Sequence, residues 1–536
     1  MASTLFSSGV QIASSWLNQV NNFVFNKTFP DSTTAATTQD LASTASGKGA
    51  AQVGYLPAGS SASSTRTVQS VLRETVSITD YGAVADSSTN CGPALQAAHD
   101  ALPANGGIII VPQAATYYLF TTGVSFTKPI VIQGPGWFSA NFYTTTNAIV
   151  LITTIAKLDI KDLAFLMYGA ARTTGTAVLQ ATASSSHGHS TYINCLFDGG
   201  NSCYHTQNSN SFVFIGCGVY PAGQYGLFVE NIAVPDTGDW FVDDCTFSGA
   251  TVANIYIPTS SGVYIANNKF NGGVGHVLIS YGTDLVGNNL FLSNSFEGHT
   301  SFAVKILGTS GVSTKNVFTG NHFSSGTAAV TMAHIILGAG AQNNVICGNS
   351  FNSTIAGDTL HTGISILTGS ANTTITGNSF HQIYNGIVGT LAATLGITMS
   401  GNRFSADVAI PYVGDDGSTF GASASSKEIT VSRYMSESAG TLTGAFNFKG
   451  TGTLEIMVYG IAQGVGKFNY SRKVALFSDT TTADINAAVV QGSAILFALA
   501  VSGGATQVQI AKSAGTSFTG YVEVIARGQI TSVVRV

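Results

Sequence analysis

Charged residues are scarce in this sequence: Asp, Glu, Lys and Arg together make up only 9% of its 536 residues. The net charge is −5 and no basic run occurs, which argues against nucleic acid as a partner. Glycine, in contrast, occurs 61 times, among many Ser, Thr and Asn residues. This composition is typical of a β-protein and argues against a helical enzyme.

Long apolar runs and familiar catalytic motifs are also missing. No stretch of 18 apolar residues occurs, so we expect no membrane insertion. The first ten residues have no basic residue ahead of an apolar segment, so we expect no secretory signal. No phosphate-binding loop, dinucleotide fingerprint or serine-hydrolase elbow stands in its proper strand–helix context, and we expect no cofactor.

The six cysteines form no Cys-x-x-Cys pair. Three of them recur at one position of the repeat described below, so we expect buried free thiols and assembly in a reducing compartment. His187, His189 and His205 lie near one another in sequence, but no Cys or carboxylate completes a ligand set, and we expect no metal.

A degenerate repeat with the consensus Gly-Asn-x-Phe occupies residues 190–405. Its apolar anchors are spaced by 22 to 29 residues, and they are Phe197, Val219, Phe247, Phe270, Phe296, Phe323, Phe351, Phe380 and Phe404. A period of this size indicates stacked supersecondary units. Each copy contains short runs in which apolar residues alternate, which predicts strands and not the helices of a tetratricopeptide repeat. The frame of a leucine-rich repeat is absent, so the repeat predicts a parallel β-helix.

The position two residues before each anchor changes along the chain from Cys to Asn. It is occupied by Cys195, Cys217 and Cys245, and then by Asn268, Asn294, Asn321, Asn349, Asn378 and Asn402. We expect this residue at a corner between two sheets, where Asn tolerates a left-handed φ. Its amide would bond to the same amide one rung away, at the strand spacing of about 4.8 Å.

The regions flanking the repeat divide the chain. Residues 1–66 contain an apolar docking segment (1–29) and a Ser/Thr/Ala/Gly-rich neck. The β-helix is predicted over residues 67–406 and a linker over 407–426. Residues 427–536 contain alternating strands that suggest a β-sandwich. A short helix is predicted over Pro93–Leu102 and a buried strand over Ile108–Pro112.

Two segments resemble known proteins. Ser77–Asp86, the helix after it and Gly106–Pro112 resemble the start of pectate-lyase-like right-handed β-helix domains, and Leu72–Ser77 is similar to the neck of bacteriophage tailspikes. The resemblance covers about residues 66–405. It implies an all-β, homotrimeric virion protein whose main part is a right-handed parallel β-helix solenoid. A short N-terminal segment would anchor the protein to the virion, and a C-terminal β-sandwich would serve trimerisation or carbohydrate binding. Such proteins bind, and often cleave, bacterial surface polysaccharide, and are assembled in the host cytoplasm. Residues 1–29 would bind phage tail or adaptor proteins.

Side chains on the outer face of the solenoid are the candidates for function, because the interior is packed. Aligning the strands predicts Phe228 and Tyr256 outward on adjacent rungs, with Tyr204 above them and Trp240 nearby. We expect these four rings to bind sugars; packing against a neighbouring subunit is the alternative.

Glycoside hydrolysis needs two carboxylates, about 5–5.5 Å apart for retention of configuration and about 6.5–9.5 Å apart for inversion. Acidic residues are few in the repeat, and the cluster closest to these aromatics contains Glu230, Asp236, Asp239, Asp243 and Asp244. We expect the first three to be catalytic, although Asp236 also fits ordinary turn chemistry. The alternatives are an adhesin that binds glycan without cleavage and, less favoured because Lys and Arg are sparse, a lyase.

Overall fold

The computed structural model of the chain describes residues 42–43, 45, 48–55, 66–169, 173–181, 190–207, 212–230, 238–257, 261–281, 286–308, 313–325, 330–389, 397–405, 407–414, 427–437, 443–462, 466–477, 481–484, 495–502, 505–512 and 518–535. The predicted docking segment 1–29 and most of the neck lie outside these residues. None of the helices in the described ranges is long and apolar enough to cross a membrane.

The chain divides into two compact units, of which the smaller comprises residues 1–76 and 101–108. Its described part contains a 3₁₀ helix (Gly49–Gln52), an antiparallel pair (Gly54–Tyr55 with Arg66–Thr67) and an α-helix, Val68–Leu72. The α-helix begins with a capping box between Thr67 and Ser70, which satisfies two backbone N–H groups that a helix start otherwise leaves unpaired. Short strands at Thr75–Ser77 and Gly107–Ile110 and a 3₁₀ helix, Ile78–Tyr81, lie around the boundary between the units in sequence.

The larger unit contains three columns of parallel strands, here called sheets A, B and C. Sheet A contains Ile130–Gln133, Leu158–Lys161, Ser190–Ile193, Phe212–Ile215, Gly238–Asp243, Ser261–Ala266, Leu290–Leu292, Val317–Thr319, Val345–Cys347, Thr374–Thr376 and Thr398–Ser400. Sheet B contains Tyr118–Leu119, Asn141–Thr144, Ala164–Met167, Leu196–Gly199, Gly218–Tyr220, Thr246–Phe247, His322–Ser325, Ser350–Ser353, Ser379–His381 and Arg403–Phe404. Sheet C contains Val124–Phe126, Val150–Thr154, Thr176–Gln180, Ser202–Gln207, Tyr225–Glu230, Ala253–Ile257, Met332–Leu337, His361–Ile366, Asn385–Gly389 and Ile410–Gly414. Lys269–Tyr281 and Ser295–Gly308 run through both B and C, and Val286–Gly287, Ser313–Thr314 and Ala341–Gln342 form a small fourth sheet.

The interior is filled by buried side chains from each sheet, which form columns along the stack. In sheet B the Phe anchors from Phe247 to Phe404 stack with ring centroids 4.7 to 5.0 Å apart. Each stacked pair contributes roughly 0.5–1.5 kcal/mol beyond the burial of its area. In sheet C the side chains of Leu227, Ile255, Val277 and Val304 pair rung to rung and are buried.

The predicted Asn ladder is confirmed. Each Asn side chain from 268 to 378 donates from Nδ2 to Oδ1 of the Asn one rung further on, at 2.9 to 3.0 Å. The same Oδ1 accepts the backbone N–H of the earlier Asn, and Nδ2 also donates to a carbonyl of the preceding rung. In the first rungs Cys245 Sγ accepts the backbone N–H of Cys217 at 3.3 Å.

The predicted location of the left-handed residue is wrong by one position. The positive φ belongs to the residue before the ladder, for example Asn267 at 55°, Gly320 at 66° and Gly348 at 64°. The turn is made there, which leaves the ladder Asn free to point inward and explains the Gly of the Gly-Asn-x-Phe consensus. All six cysteines are free thiols, as expected, and five of them are buried.

The predicted helix is present as Gly92–Ala101, and its apolar face is buried at Leu95 and Ala98. His99 stacks on Phe126 with ring centroids 5.0 Å apart, and its Nε2 accepts the backbone N–H of Thr127 at 3.1 Å. The helix therefore packs against Val124–Phe126, the first strand of sheet C.

The C-terminal region is antiparallel, and its strands are Lys427–Glu437, Thr443–Ala462, Gly466–Phe477, Thr481–Asp484, Ile495–Ser502, Ala505–Lys512 and Phe518–Arg535. The first of them continues the stack, because Phe404 pairs in parallel with Val431. The predicted linker boundary is wrong: Ile410–Gly414 is a strand that pairs with Asn385–Gly389, so the coil continues past residue 406. The sandwich arrangement of 427–536 stays a prediction.

Candidate functional site

Four outward side chains of sheet C form a stacked cluster, here called the aromatic patch: His205, Tyr225, Phe228 and Tyr256. The strand register places His205, Phe228 and Tyr256 on consecutive rungs. Ring centroids are 4.4 Å apart for His205 and Phe228 and 5.5 Å for Phe228 and Tyr256, with nearly parallel planes. Tyr225 stacks on both Phe228 and Tyr256. All four rings are half-buried, so the predicted outward orientation of Phe228 and Tyr256 is confirmed.

The prediction that Tyr204 joins this stack is wrong. The register pairs Tyr204 with Leu227 and not with Phe228, so its ring points into the core and is fully buried. There its hydroxyl lies 2.7 Å from Gln180 Oε1. Because successive residues of a strand face opposite sides, the adjacent His205 takes the outward position instead.

Trp240 is also in the core, which contradicts its predicted role in stacking on sugar. Its strand begins at Gly238, and the alternation of that strand turns Trp240 and Val242 inward. The indole is 1% exposed and packs edge-on against Phe212. A ring that is buried in this way cannot contact a ligand.

The three predicted catalytic carboxylates are only partly covered by the structure. Glu230 ends the strand that carries Phe228, and its backbone pairs with Gln207. Asp239 lies on the sheet A strand Gly238–Asp243. Asp236 and the side chains of Glu230 and Asp239 lie outside the described residues. A fourth acid of this cluster, Asp243, accepts a hydrogen bond from Asn267 Nδ2 at 2.9 Å.

The stacking within the patch decides what it can bind. Because the rings cover one another's faces along the solenoid axis, the patch presents ring edges, the Tyr225 and Tyr256 hydroxyls and the outer faces of its end rings. Burial raises the pKa of the Tyr225 hydroxyl, with a further contribution from Tyr256, so this group stays protonated and can donate a hydrogen bond. Such a surface can bind a sugar, because a sugar ring carries apolar C–H groups on one face and hydroxyls at its edge.

Sequence reasoning missed His205 and Tyr225. His205 belongs to no sequence motif other than the incomplete set of histidines, and Tyr225 stands three residues before Phe228, a spacing that does not predict contact on a strand. It also missed an interior row of histidines: His276, His299, His334 and His361 are buried in sheets B and C. Burial lowers the pKa of His276 and of His334 to about 3, which keeps both neutral. Among the described residues no group of His, Cys, Asp and Glu could hold a metal ion.

Comparison with known proteins identifies the fold. The family described as right handed beta helix region matches residues 231–404. No curated protein is similar enough to count as a match.

Solved structures similar to this chain include three proteins of bacterial surfaces or phage tails. A tailspike protein of E. coli bacteriophage HK620 has 13% identity and a TM-score of 0.48, over 90% of this chain and 98% of that chain. The surface adhesin PfbA of Streptococcus pneumoniae has 16% identity and a TM-score of 0.42, over 62% and 91%. Tailspike protein 3 of bacteriophage CBA120 has 16% identity and a TM-score of 0.44, over 76% and 67%. The strand register and the family match together establish that the chain contains a right-handed parallel β-helix.

Proposed function

We propose that the protein is a phage tailspike that binds bacterial surface polysaccharide, O-antigen or capsule, through the flank of its β-helix during host adsorption. The observation that carries the proposal is the aromatic patch, a row of four half-buried rings with tyrosine hydroxyls on the outside of a solenoid whose interior is filled. The resemblance of residues 66–405 to tailspikes supports the same function. Residues 1–29 would attach the protein to the phage tail or an adaptor.

We further propose that the protein hydrolyses glycosidic bonds with Glu230, Asp236 and Asp239. Glu230 follows Phe228 by two residues in the sequence, the spacing at which residues of a regular strand share a face, and this spacing supports its choice as a catalytic acid. One carboxylic acid would protonate the leaving oxygen, and a second carboxylate would act as nucleophile or activate water.

The test is to incubate the purified chain with polysaccharide from susceptible bacteria and to analyse the products by size. Hydrolysis predicts shorter oligosaccharides, and loss of them in at least one of Glu230→Gln, Asp236→Asn and Asp239→Asn. Asp243→Asn, the fourth acid of the cluster, is the matched control and should keep the activity. Products that persist in all three variants would refute the site, and binding without any products would favour the non-catalytic adhesin.

A trimer is part of the proposal, and sheet A supplies a surface for it. Its outward residues include an apolar row on consecutive rungs: Val213, Phe241, Tyr264, Leu290, Val317 and Val345. These side chains are half-buried within one chain, and Phe241 stacks on Tyr264 at 4.7 Å. Light scattering should give three times the chain mass of 55.2 kDa, and Leu290→Lys should lower the assembled fraction. A stable monomer of the unmodified chain would contradict this part.

A further inference from the structure

A groove of about 560 Å³ lies on the outer face of sheet B, at its first rungs. It is separate from the aromatic patch, which belongs to sheet C. Its walls come from distant parts of the chain: the turn at Ser87, the segment around Tyr117, the loop at Phe138 and the strand residue Asp198. Sites that bind small molecules commonly measure about 300–1,000 Å³, so the groove has room for a short oligosaccharide segment.

Aromatic rings line the groove and are exposed there. Phe138 is 86% exposed and Tyr117 is 40% exposed, although both are large apolar side chains. Tyr117 stacks on Tyr143 at 5.0 Å, and Phe138 stacks on Trp137 at 6.0 Å with planes 11° apart. One face of each ring is therefore supported by a neighbour, and the other is available to a ligand.

Hydrogen bonds hold the segments that carry the rings. The Trp137 indole N–H donates to Asn194 Oδ1, and a Cβ added at Gly218 would come within 3.0 Å of the Trp137 ring. On the opposite wall, Thr116 Oγ1 donates to the Ala85 carbonyl at 2.5 Å, and the Tyr117 N–H donates to Ser87 Oγ at 3.3 Å. A backbone fixed in this way loses little conformational entropy when a ligand binds.

The polar groups of the groove determine the charge that it accepts. Asp198 is the one charged side chain among the lining residues, and its carboxylate accepts a hydrogen bond from the Tyr168 hydroxyl. A carboxylate has about four acceptor positions, so it can also bind sugar hydroxyls. Among the residues that the structure describes, no lysine, arginine or histidine lines the groove. A carboxylate or sulfate on the ligand would be repelled by the Asp198 carboxylate.

We propose that this groove is a second glycan-binding site, which takes a short segment of uncharged sugars, N-acetylated sugars included, and discriminates against uronic and other acidic sugars. The inference rests on the proposed glycan binding and adds to it a location and a substrate class. Phe138 and Tyr117 contact the apolar faces of the sugar rings, and Asp198 accepts from their hydroxyls.

An array of purified bacterial O-antigens and capsular polysaccharides tests this proposal, provided that some repeats contain only uncharged sugars and others contain a uronic acid. We expect Phe138→Ala and Tyr117→Ala each to lower the apparent affinity for uncharged repeats about ten-fold, the loss of roughly one supported aromatic contact. Asp198→Asn keeps the shape and should raise the affinity for acidic repeats at least three-fold relative to uncharged ones. Ile155→Ala removes an exposed apolar side chain outside the groove and the patch and is the matched control.

The variants also separate failure of the groove from failure of the proposed function. If Phe228→Ala in the patch abolishes binding while both groove variants bind as the unmodified chain does, the groove is refuted and surface-glycan binding stands. If Asp198→Asn leaves the preference for uncharged repeats unchanged, the assigned substrate class is wrong. If the unmodified chain binds no polysaccharide on the array, both proposals fail.

Discussion

Replacing one Asn of the interior ladder should destabilise the solenoid strongly, and Asn321 is the clearest case. Its Oδ1 accepts from the backbone N–H and from Nδ2 of Asn294, and its Nδ2 donates to the Phe291 carbonyl and to Asn349 Oδ1. Asn321→Ala deprives two donors on Asn294 and one acceptor on Phe291 of a buried partner. At about 1–3 kcal/mol for each such group, the free energy of unfolding should fall by roughly 3 kcal/mol or more.

Guanidinium unfolding followed by tryptophan fluorescence measures this change, because Trp240 is buried in the same solenoid. Asn352→Ala is the matched control: this Asn lies half-buried on the outer face of sheet B, and its removal should cost below about 1 kcal/mol. Equal destabilisation by the two substitutions would refute the reasoning, since the ladder would then contribute no more than a surface amide.

Three further predictions concern stability and thiol reactivity. His276 and His334 are neutral in the folded chain with a pKa of about 3, whereas histidines of the unfolded chain take up protons below about pH 6.5. The free energy of unfolding should therefore be at its full value above that pH and should fall on acidification, by about 2 kcal/mol per histidine between pH 7 and 5. His334→Gln should flatten a plot of unfolding free energy against pH. Gly348→Ala should lower the free energy of unfolding by only about 1 kcal/mol, because its φ is 64° and no atom lies within 4 Å of an added Cβ. Gly275→Ala should cost several-fold more, because the new Cβ would come within 2.2 Å of the Phe302 ring. Similar guanidinium unfolding midpoints for the two variants would contradict this. A thiol reagent should find six cysteines in the unfolded chain and at most Cys347 in the native one, and rapid labelling of Cys217 in the native protein would show that the core is not closed there.

The fold was predictable from the sequence because its repeat is visible in the sequence. Spacing and alternation place the Phe stack and the Asn ladder, since a residue that recurs once per coil must form a column in any parallel β-helix. The left-handed position was misassigned because Gly and Asn are adjacent in the motif and both tolerate positive φ. Only the backbone shows that Gly320 and its equivalents make the turn.

The candidate site was harder to predict because one residue decides which face a side chain occupies. The sequence predicts Tyr204 and Trp240 outside, and each is inside because successive residues of a strand face opposite sides and the register decides which side each takes. The interior histidines occur at irregular spacings, so their alignment could not be recognised from sequence. The groove combines Ser87, Phe138 and Asp198, and no local pattern indicates that residues so far apart in sequence meet.

Surface plasmon resonance with the full chain immobilised and purified bacterial surface polysaccharides in solution tests the central claim most directly. Binding to the flank of the β-helix predicts saturable, polysaccharide-specific binding that weakens when Phe228 or Phe138 is replaced by Ala. Absence of binding to every polysaccharide, from a protein that unfolds cooperatively, would contradict it.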